Sequence, residues 1–536
     1  MPSASDPPTP HTADAARTRE DLAVLRPDLV GRFDAELAGA RAAVLGRLLG
    51  ALDREPLPGR AGQGSGSATF HTAESSAAPG RTAYGPAAPG RSIPGRQLTV
   101  HYPPAAAAPF ATAPPGLAVD AGEGRSIDDP GTLTRLLWGD VPLATEIDNS
   151  VANLALARAD RPADPGPRPG DPDGLARTEQ AITDGHPLHP CCRTRGGMSV
   201  ADVLAYAPEH SPTIRLRRLR VPTDRWYGTA PPVLLAHPWQ ATRLRDRYPW
   251  LTDDGETGPC RPLMSLRTVA PAGGGPHVKT AVDVQMTSAV RTVSPAAVAN
   301  GPVLSTLLAE LTADLPVTVL AETAAGAVIV DGVPQRHLAF LTRQAPSLTD
   351  GETVVPLAAF GASPRLLSAI TEPYEWWNLL CRVLFAPLVT VLDRGVALEA
   401  HGQNTLLVLH GGRPRRVLYR DLGGVRVSAR RLGHLAPPLH GDLPSDDPAV
   451  LRTKLAAAAF GGVAAELVAA LTRRHGTDPR RLWATLAAAV RGTGTADAPH
   501  LLRDPLPVKA TTAMRLAADP LEDLWARTDN PLAAHA

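Results

Sequence analysis

The chain has 536 residues, enough for two or three domains and a substantial core. A formal net charge of +1 excludes the basic footprint of a nucleic-acid scaffold or a membrane-surface binder, and at 4% aromatics there is no interleaved aromatic–basic pattern for single strands. Its four cysteines, Cys191, Cys192, Cys260 and Cys381, form no C-x-x-C and are read as reduced cytosolic thiols.

Residues 1–18 are rich in Pro, Ser, Thr and Asp, with no basic region leading into an apolar one. They are expected to be disordered and to carry no secretory signal. Residues 19–55 place Leu22, Leu25, Leu29, Phe33, Leu37, Ala40 and Val44 on one stripe, which predicts a helix. Residues 56–95 are rich in Gly, Ser, Pro and Ala and read as a linker or mobile loop. A strand over 97–102 and helices over 129–138 and 144–158 follow. Strand-like runs at 263–269 and 278–287 flank a Gly-rich tip, predicting a hairpin. A helix over 372–394 is expected to kink at Pro387. Two short strands, 405–409 and 416–420, surround a Gly411–Gly412 turn. The apolar run 455–471 is interrupted by Glu466 and is read as a buried helix, so the chain is expected to be soluble and cytoplasmic.

Three segments carry chemistry. In the middle hairpin, strand alternation would aim Ser265 and Arg267 one way, with Lys279 on the partner strand opposite Arg267 if the turn is centred on Gly273. Facing cations repel unless an anion lies between them, which suits a triphosphate. Thr287, Ser288 and Arg291 close the run, and Arg291 would grip a carboxylate bidentately. Gly185-His186-Pro187-Leu188-His189-Pro190 holds two histidines on one side of an extended segment, with Arg193 and Arg195 following as further anion contacts. Last, Glu399-Ala400-His401-Gly402-Gln403-Asn404, a hairpin, and Arg420-Asp421-Leu422-Gly423-Gly424 repeat the layout with which protein kinases hold Mg-ATP. Asn404 and Asp421, with Glu399 as a second carboxylate, would share one hard cation. The kinase glycine-rich hairpin, V-A-I-K and A-P-E elements are missing, so a kinase proper is the weaker reading.

These strings together resemble the IucA/IucC family of siderophore synthetases that work independently of nonribosomal peptide synthetases. The matching stretches also include Asn149-Ser150-Val151-Ala152-Asn153, His237-Pro238-Trp239-Gln240, and Lys509-Ala510 with Met514-Arg515-Leu516. The resemblance implies an α+β, cupped-hand fold: thumb (19–183), fingers (184–345) and a distantly kinase-like palm (346–536). It implies a ligase that uses ATP and Mg2+ to adenylate citrate or a citryl derivative, releases pyrophosphate, and passes the acyl group to an amine, hydroxyl or hydroxamate-bearing polyamine. By the same resemblance Ser265, Arg267, Lys279, His186, Gln403 and Asn404 serve the nucleotide, and Thr287, Arg291 and His401 the carboxylate. Asn404, Glu399 and Asp421 would serve the metal, with Glu399 a candidate base and Lys509 near the acceptor. A homodimer is expected on the same ground, with neither nucleic-acid nor membrane partners. Arg193 stands where the family pattern has Lys. Alternatives are the same adenylation in another natural-product pathway, a phosphotransferase giving ADP, and a silent ligand-binding homologue.

Overall fold

The computed structural model describes residues 13–71, 97–122, 124–164, 166–519 and 522–536. Asp14 caps the first helix, Ala15–Leu25, so the segment expected to be disordered is helical from Ala15; residues 1–12 lie outside the described residues. The helix expected over 19–55 is two, Ala15–Leu25 and Pro27–Arg54, because Pro27 drives Arg26 out of the helical region (φ −148°, ψ 69°). Leu22, Leu29, Phe33, Ala40 and Val44 are fully buried, whereas Leu25, at the break, is 45% exposed. The stretch read as a mobile loop begins with two strands, Arg60–Gly64 and Ser67–His71, which join Gln97–His101 in a five-stranded sheet; residues 72–95 lie outside the described residues.

The middle of the chain is built on a six-stranded antiparallel sheet. Its order is Cys260–Pro262, Thr268–Pro271, His277–Thr280, Val333–Arg343, Glu322–Val330, Trp226–Gly228. The run 263–269, expected as one strand, is strand only at Thr268 and Val269; residues 263–267 make a reverse turn with Leu266 at φ 64°, which folds Cys260–Pro262 back onto Thr268–Pro271. Strand alternation therefore does not govern Ser265 and Arg267. The next hairpin pairs Thr268, not Arg267, with Lys279, one step from the expected register. The run 278–287 is likewise broken at Ala281 into His277–Thr280 and Val282–Met286. A tight turn at Thr287–Ser288 then leads into Ala289–Arg291.

The C-terminal part has the largest core. Its four-stranded sheet runs Val317–Val319, Arg413–Tyr419, Thr405–His410, Glu352–Pro356. Val317–Val319 thus lies in a sheet whose other strands come from beyond residue 346. The helix expected at 372–394 widens into a π turn, Cys381–Phe385, just before Pro387, whose ring excludes regular helix at that place. The apolar run 455–471 belongs to a continuous helical segment, Pro448–His475, with a π stretch at Ala456–Ala464. This segment and Pro373–Asp393 are long and apolar enough to cross a membrane, but most of each is buried in the core around Trp377, Phe385 and Phe460. At Gly461 a Cβ would come 2.8 Å from the Pro507 carbonyl, so glycine lets the Leu506–Lys509 strand lie close against this helix. The architecture is mixed α+β.

Candidate functional site

The hairpin of the four-stranded sheet sets two loops side by side. Thr405 pairs with Tyr419, and beyond that pair Asn404 accepts the Arg420 N–H through its carbonyl (3.0 Å). The next residue, Asp421, has φ 76°, a conformation costly for a residue with a Cβ. Leu266 and Thr287 are also left-handed, so three of the six non-glycine residues with positive φ among the described residues belong to the candidate site. Such strain persists where surrounding contacts enforce it. Here Lys279 Nζ donates to both Asp421 carboxylate oxygens (2.8 and 2.7 Å), and Arg343 stands 3.8 Å away. Burial alone would raise the Asp421 carboxyl; Lys279 and Arg343 outweigh it and hold the group far below the usual carboxylate range.

Arg267 and Arg291 differ from Lys279 in lacking an acidic partner. Arg267 donates to the Thr292 carbonyl (2.7 Å), and Arg291 Nη2 to the Met286 carbonyl (2.9 Å) and Thr287 Oγ1. No carboxylate of the described residues lies within 4 Å of either. Burial, then the Arg291 charge, brings Arg267 down to about 10, so it stays protonated at neutral pH. Two recessed guanidiniums, helped by Asp421 only at a distance and with no carboxylate in contact, are costly unless an anion joins them.

Four histidines share one local device, in which Nδ1 accepts the backbone N–H two residues on. Leu188 N–H donates to His186 (3.2 Å), Cys191 to His189 (3.0 Å), Trp239 to His237 (3.2 Å) and Gln403 to His401 (3.2 Å). An Nδ1 acceptor leaves the proton of the neutral ring on Nε2. His189 spends it on Ser288 Oγ (2.7 Å), packing edge-on against His186 with ring centroids 6.1 Å apart. His237 is fully buried at a helix start. His186 and His401 keep Nε2–H for the site. Burial, reinforced by the His401, Arg47, Lys509 and Arg291 charges, lowers His186 to about 3. Burial also lowers His401, while Glu399 and Asp421 work against it.

Glu399 is not free. Its Oε1 accepts from Lys454 Nζ (2.9 Å), which also reaches Asp523 (3.4 Å), and Asp523 holds Lys509 at 2.7 Å. Burial would raise Glu399, but Lys454, then His401 and Lys509, keep it below its ordinary value. A carboxylate so held is a weak base and a good holder of charge. Gln403 turns its carbonyl to the Arg420 guanidinium (3.1 and 2.9 Å), and Arg420 in turn pairs with buried Glu179 (2.7 Å). Ser265 Oγ is spent on its own turn, accepting from Thr268 N–H (3.2 Å) and bonding Thr268 Oγ1 (2.9 Å).

Arg193 and Arg195 do not present themselves to an anion. Both are buried on Glu209, at 3.1 and 2.7 Å, and Arg193 Nε also donates to the Thr183 carbonyl (2.6 Å). Burial would raise Glu209, yet the two arginines bring it down to about 2. The Asn149–Asn153 string explains the placement of this segment. Ser150 donates to the Pro190 carbonyl (2.8 Å), Asn149 Oδ1 accepts the Arg195 N–H (2.9 Å), and Asn153 donates to the Arg193 carbonyl (3.1 Å). Lys454, Asp523 and Arg343 were missed because single charges in apolar or irregular stretches carry no local signal. A shallow hollow opens beside Gly423, lined by Asn300, Glu322, His440 and Asp442, and does not include Arg267, Arg291 or His401.

The donor set fits a hard cation. A carboxylate that already holds an ammonium on both oxygens, and an Asn404 amide with no side-chain hydrogen bond to the described residues, are oxygen donors of the right kind. Among the described residues no three His, Cys, Asp or Glu side chains gather, so such a cation would need substrate oxygens to complete its shell.

Residues 174–231 and 232–362 match the IucA/IucC family, and residues 374–534 match the family described as ferric iron reductase FhuF-like transporter. Staphyloferrin A synthase of Staphylococcus aureus is 27% identical over 427 residues, 67% of this chain and 73% of that protein. Aerobactin synthase of Escherichia coli is 27% identical over 46% of this chain and 54% of its own. The petrobactin biosynthesis protein AsbB of Bacillus anthracis superposes with a TM-score of 0.75 at 18% identity, covering 98% of both chains. ATP-bound aerobactin synthetase IucA of Klebsiella pneumoniae gives 0.69 at 18% identity, covering 92% of this chain and 99% of that one. The mixed α+β fold is therefore shared over nearly the full length.

Proposed function

The chain belongs to the IucA/IucC family, with a FhuF-like C-terminal part, and on that premise we propose that it is an ATP-dependent carboxylate–amine or carboxylate–alcohol ligase of siderophore biosynthesis. The observation that carries the reading is the pair of acid-free guanidiniums, Arg267 and Arg291, beside two Nε2–H histidines and the Lys279–Asp421 pair. Citrate or a citryl derivative is the proposed acid, by likeness to relatives named as a D-ornithine–citrate ligase and an L-2,3-diaminopropanoate–citrate ligase. In this reading residues 19–183, 184–345 and 346–536 are thumb, fingers and palm, and the enzyme works in the cytoplasm.

A substrate carboxylate oxygen attacks the α-phosphorus of ATP, the bond to pyrophosphate breaks, and an acyl-adenylate forms. Two anions must approach, so positioning and charge compensation carry the catalysis. Arg291, steadied by Thr287, orients the carboxylate. Arg267 and Lys279 hold phosphate oxygens, and the Nε2–H groups of His186 and His401 donate to oxygens that gain charge. Mg2+, when bound, supplies further neutralisation of the triphosphate, and Asp421, Asn404 and Glu399 are the residues that would hold it. The acceptor nitrogen or oxygen then attacks the acyl carbon, AMP departs, and the acceptor loses a proton to water, since Glu399, held by Lys454, is too weak a base to take it. Ser265, whose hydroxyl is spent on its own turn, and Gln403, whose backbone carbonyl holds Arg420, would serve the nucleotide through the backbone they fix.

The test is pyrophosphate release from Mg-ATP across a panel of citrate, succinate, 2-oxoglutarate and citryl-amides, with hydroxylamine as trap. Carboxylate-dependent pyrophosphate and a hydroxamate product support the ligase. ADP and phosphate would replace it with a phosphotransferase.

A further inference from the structure

We propose that Lys454 is a positioning residue of this site, fixing Glu399 on one side and, through Asp523, Lys509 on the other. The inference rests on the ligase reading above. Lys454 lies in the last turn of Pro448–Leu455, and its side chain is only 7% exposed. Burying a lysine costs desolvation and side-chain freedom, so its place needs partners that repay both. They are two carboxylates from distant parts of the chain: Glu399 Oε1 at 2.9 Å and Asp523 Oδ2 at 3.4 Å.

Glu399 is thereby pinned. On its far side a Cβ at Gly424 would fall 1.9 Å from Oε2, so the carboxylate is wedged between an ammonium and bare backbone. The His401 N–H donates to the Glu399 carbonyl (2.9 Å), so the loop carrying His401 shares that anchor. On the other arm, Asp523 gives one oxygen to Lys454 and the other to Lys509 at 2.7 Å. Lys509 is 39% exposed and ends a strand paired with Trp525–Thr528. The ladder Glu399–Lys454–Asp523–Lys509 has no net charge and ties the loop that meets the nucleotide to the strand that borders the acceptor.

The experiment compares Lys454→Met, Lys454→Arg, Glu399→Gln, Asp523→Asn and the Lys454→Met/Glu399→Gln double variant. It reads carboxylate-dependent ATP–pyrophosphate exchange and transfer to the acceptor separately. Lys454→Met is expected to lower exchange kcat/KM about 10- to 100-fold, the usual loss for an outer partner of a reacting group. Lys454→Arg should restore most of it. The double variant should be no worse than the poorer single, because both changes act on one carboxylate. Asp523→Asn should raise KM for the acceptor more than KM for the carboxylate. Multiplicative losses, or a lower melting temperature with unchanged kcat and KM, overturn the proposal. A wild-type protein silent in exchange would sink the ligase reading instead. In that case acylation footprinting still decides the ladder: Lys509 should label faster in Asp523→Asn, which removes its counter-ion, and more slowly in Lys454→Met, which leaves Asp523 to Lys509 alone, and equal labelling overturns it.

Discussion

Arg291→Ala removes a guanidinium whose fork is held ready but mostly unspent. Only Nη2 is engaged, on the Met286 carbonyl and Thr287 Oγ1; Nε and Nη1 have no partner among the described residues. Two charge-assisted hydrogen bonds to a carboxylate are worth about 1.5–3 kcal/mol each, so their loss costs about 3–6 kcal/mol. At about 1.4 kcal/mol per tenfold, kcat/KM for carboxylate-dependent pyrophosphate exchange should fall about 10²- to 10⁴-fold. Arg291→Lys keeps the charge but only one directed bond, and should land between wild type and Ala. The fold should survive, because Arg291 lies on a two-stranded hairpin, is only half-buried and has no acidic partner to orphan. Thermal melting checks this, and steady-state exchange against carboxylate concentration gives the rest. An Ala variant within tenfold of wild type, melting normally, would refute the assignment of the carboxylate to this arginine.

His401→Ala should abolish adenylate formation with an unchanged melting temperature, whereas His401→Asn, which can still donate, should retain measurable exchange; equal loss in both would exclude a donor role. His186, held near 3, stays neutral above about pH 4, so its protonation should contribute no limb near 6.5 to the pH profile of exchange, and His186→Gln should leave the profile's shape unchanged. Glu209→Gln should destabilise the fold by about 3–5 kcal/mol in urea unfolding at neutral pH, because it leaves Arg193 and Arg195 buried without a counter-ion. The Glu209 pKa falls on folding, from 4.5 to about 2, so its stabilisation is full above about pH 4.5 and is lost as pH falls toward 2. The gap between wild type and variant should narrow over that window.

Legibility in the sequence followed how local each signal was. Helices with a clean apolar stripe were readable in extent, because a 3.6-residue period needs no distant partner, as Leu22, Leu29 and Phe33 show. Pro27 was the overlooked interruption, although the constraint it places on Arg26 is itself local. The loop–hairpin–loop that places Asn404 next to Asp421 was readable for the same reason, since one hairpin brings them together. The 263–269 run misled because Ser-Leu-Arg-Thr has strand composition while Leu266 takes a left-handed turn that only the sheet around it enforces. Arg193 looked like an anion ligand from its neighbours. Only the tertiary fold, which brings Glu209 and the Thr183 carbonyl to it, turns it inward. Lys454 and Asp523 could not be found at all, since their partners lie 55 and 69 residues from Lys454.

The site divides its cations by what they already hold. Lys279 and Lys454 sit on carboxylates, and Lys509 shares one; Arg267 and Arg291 sit only on neutral oxygens. A flexible ammonium exchanges one oxygen for another at little geometric cost, while a planar guanidinium must be aimed beforehand. Lys279, set on Asp421, therefore suits a group that changes partners when a triphosphate arrives, whereas Lys454 keeps its two carboxylates in place. The arginines suit the anions that define the reaction, because no carboxylate of the described residues touches them. This division also explains why Arg193, which is wholly satisfied by Glu209 and two backbone carbonyls, stands apart from the site although it follows the double His-Pro segment directly. A cation already answered by an acid and by backbone has nothing left with which to meet a phosphate.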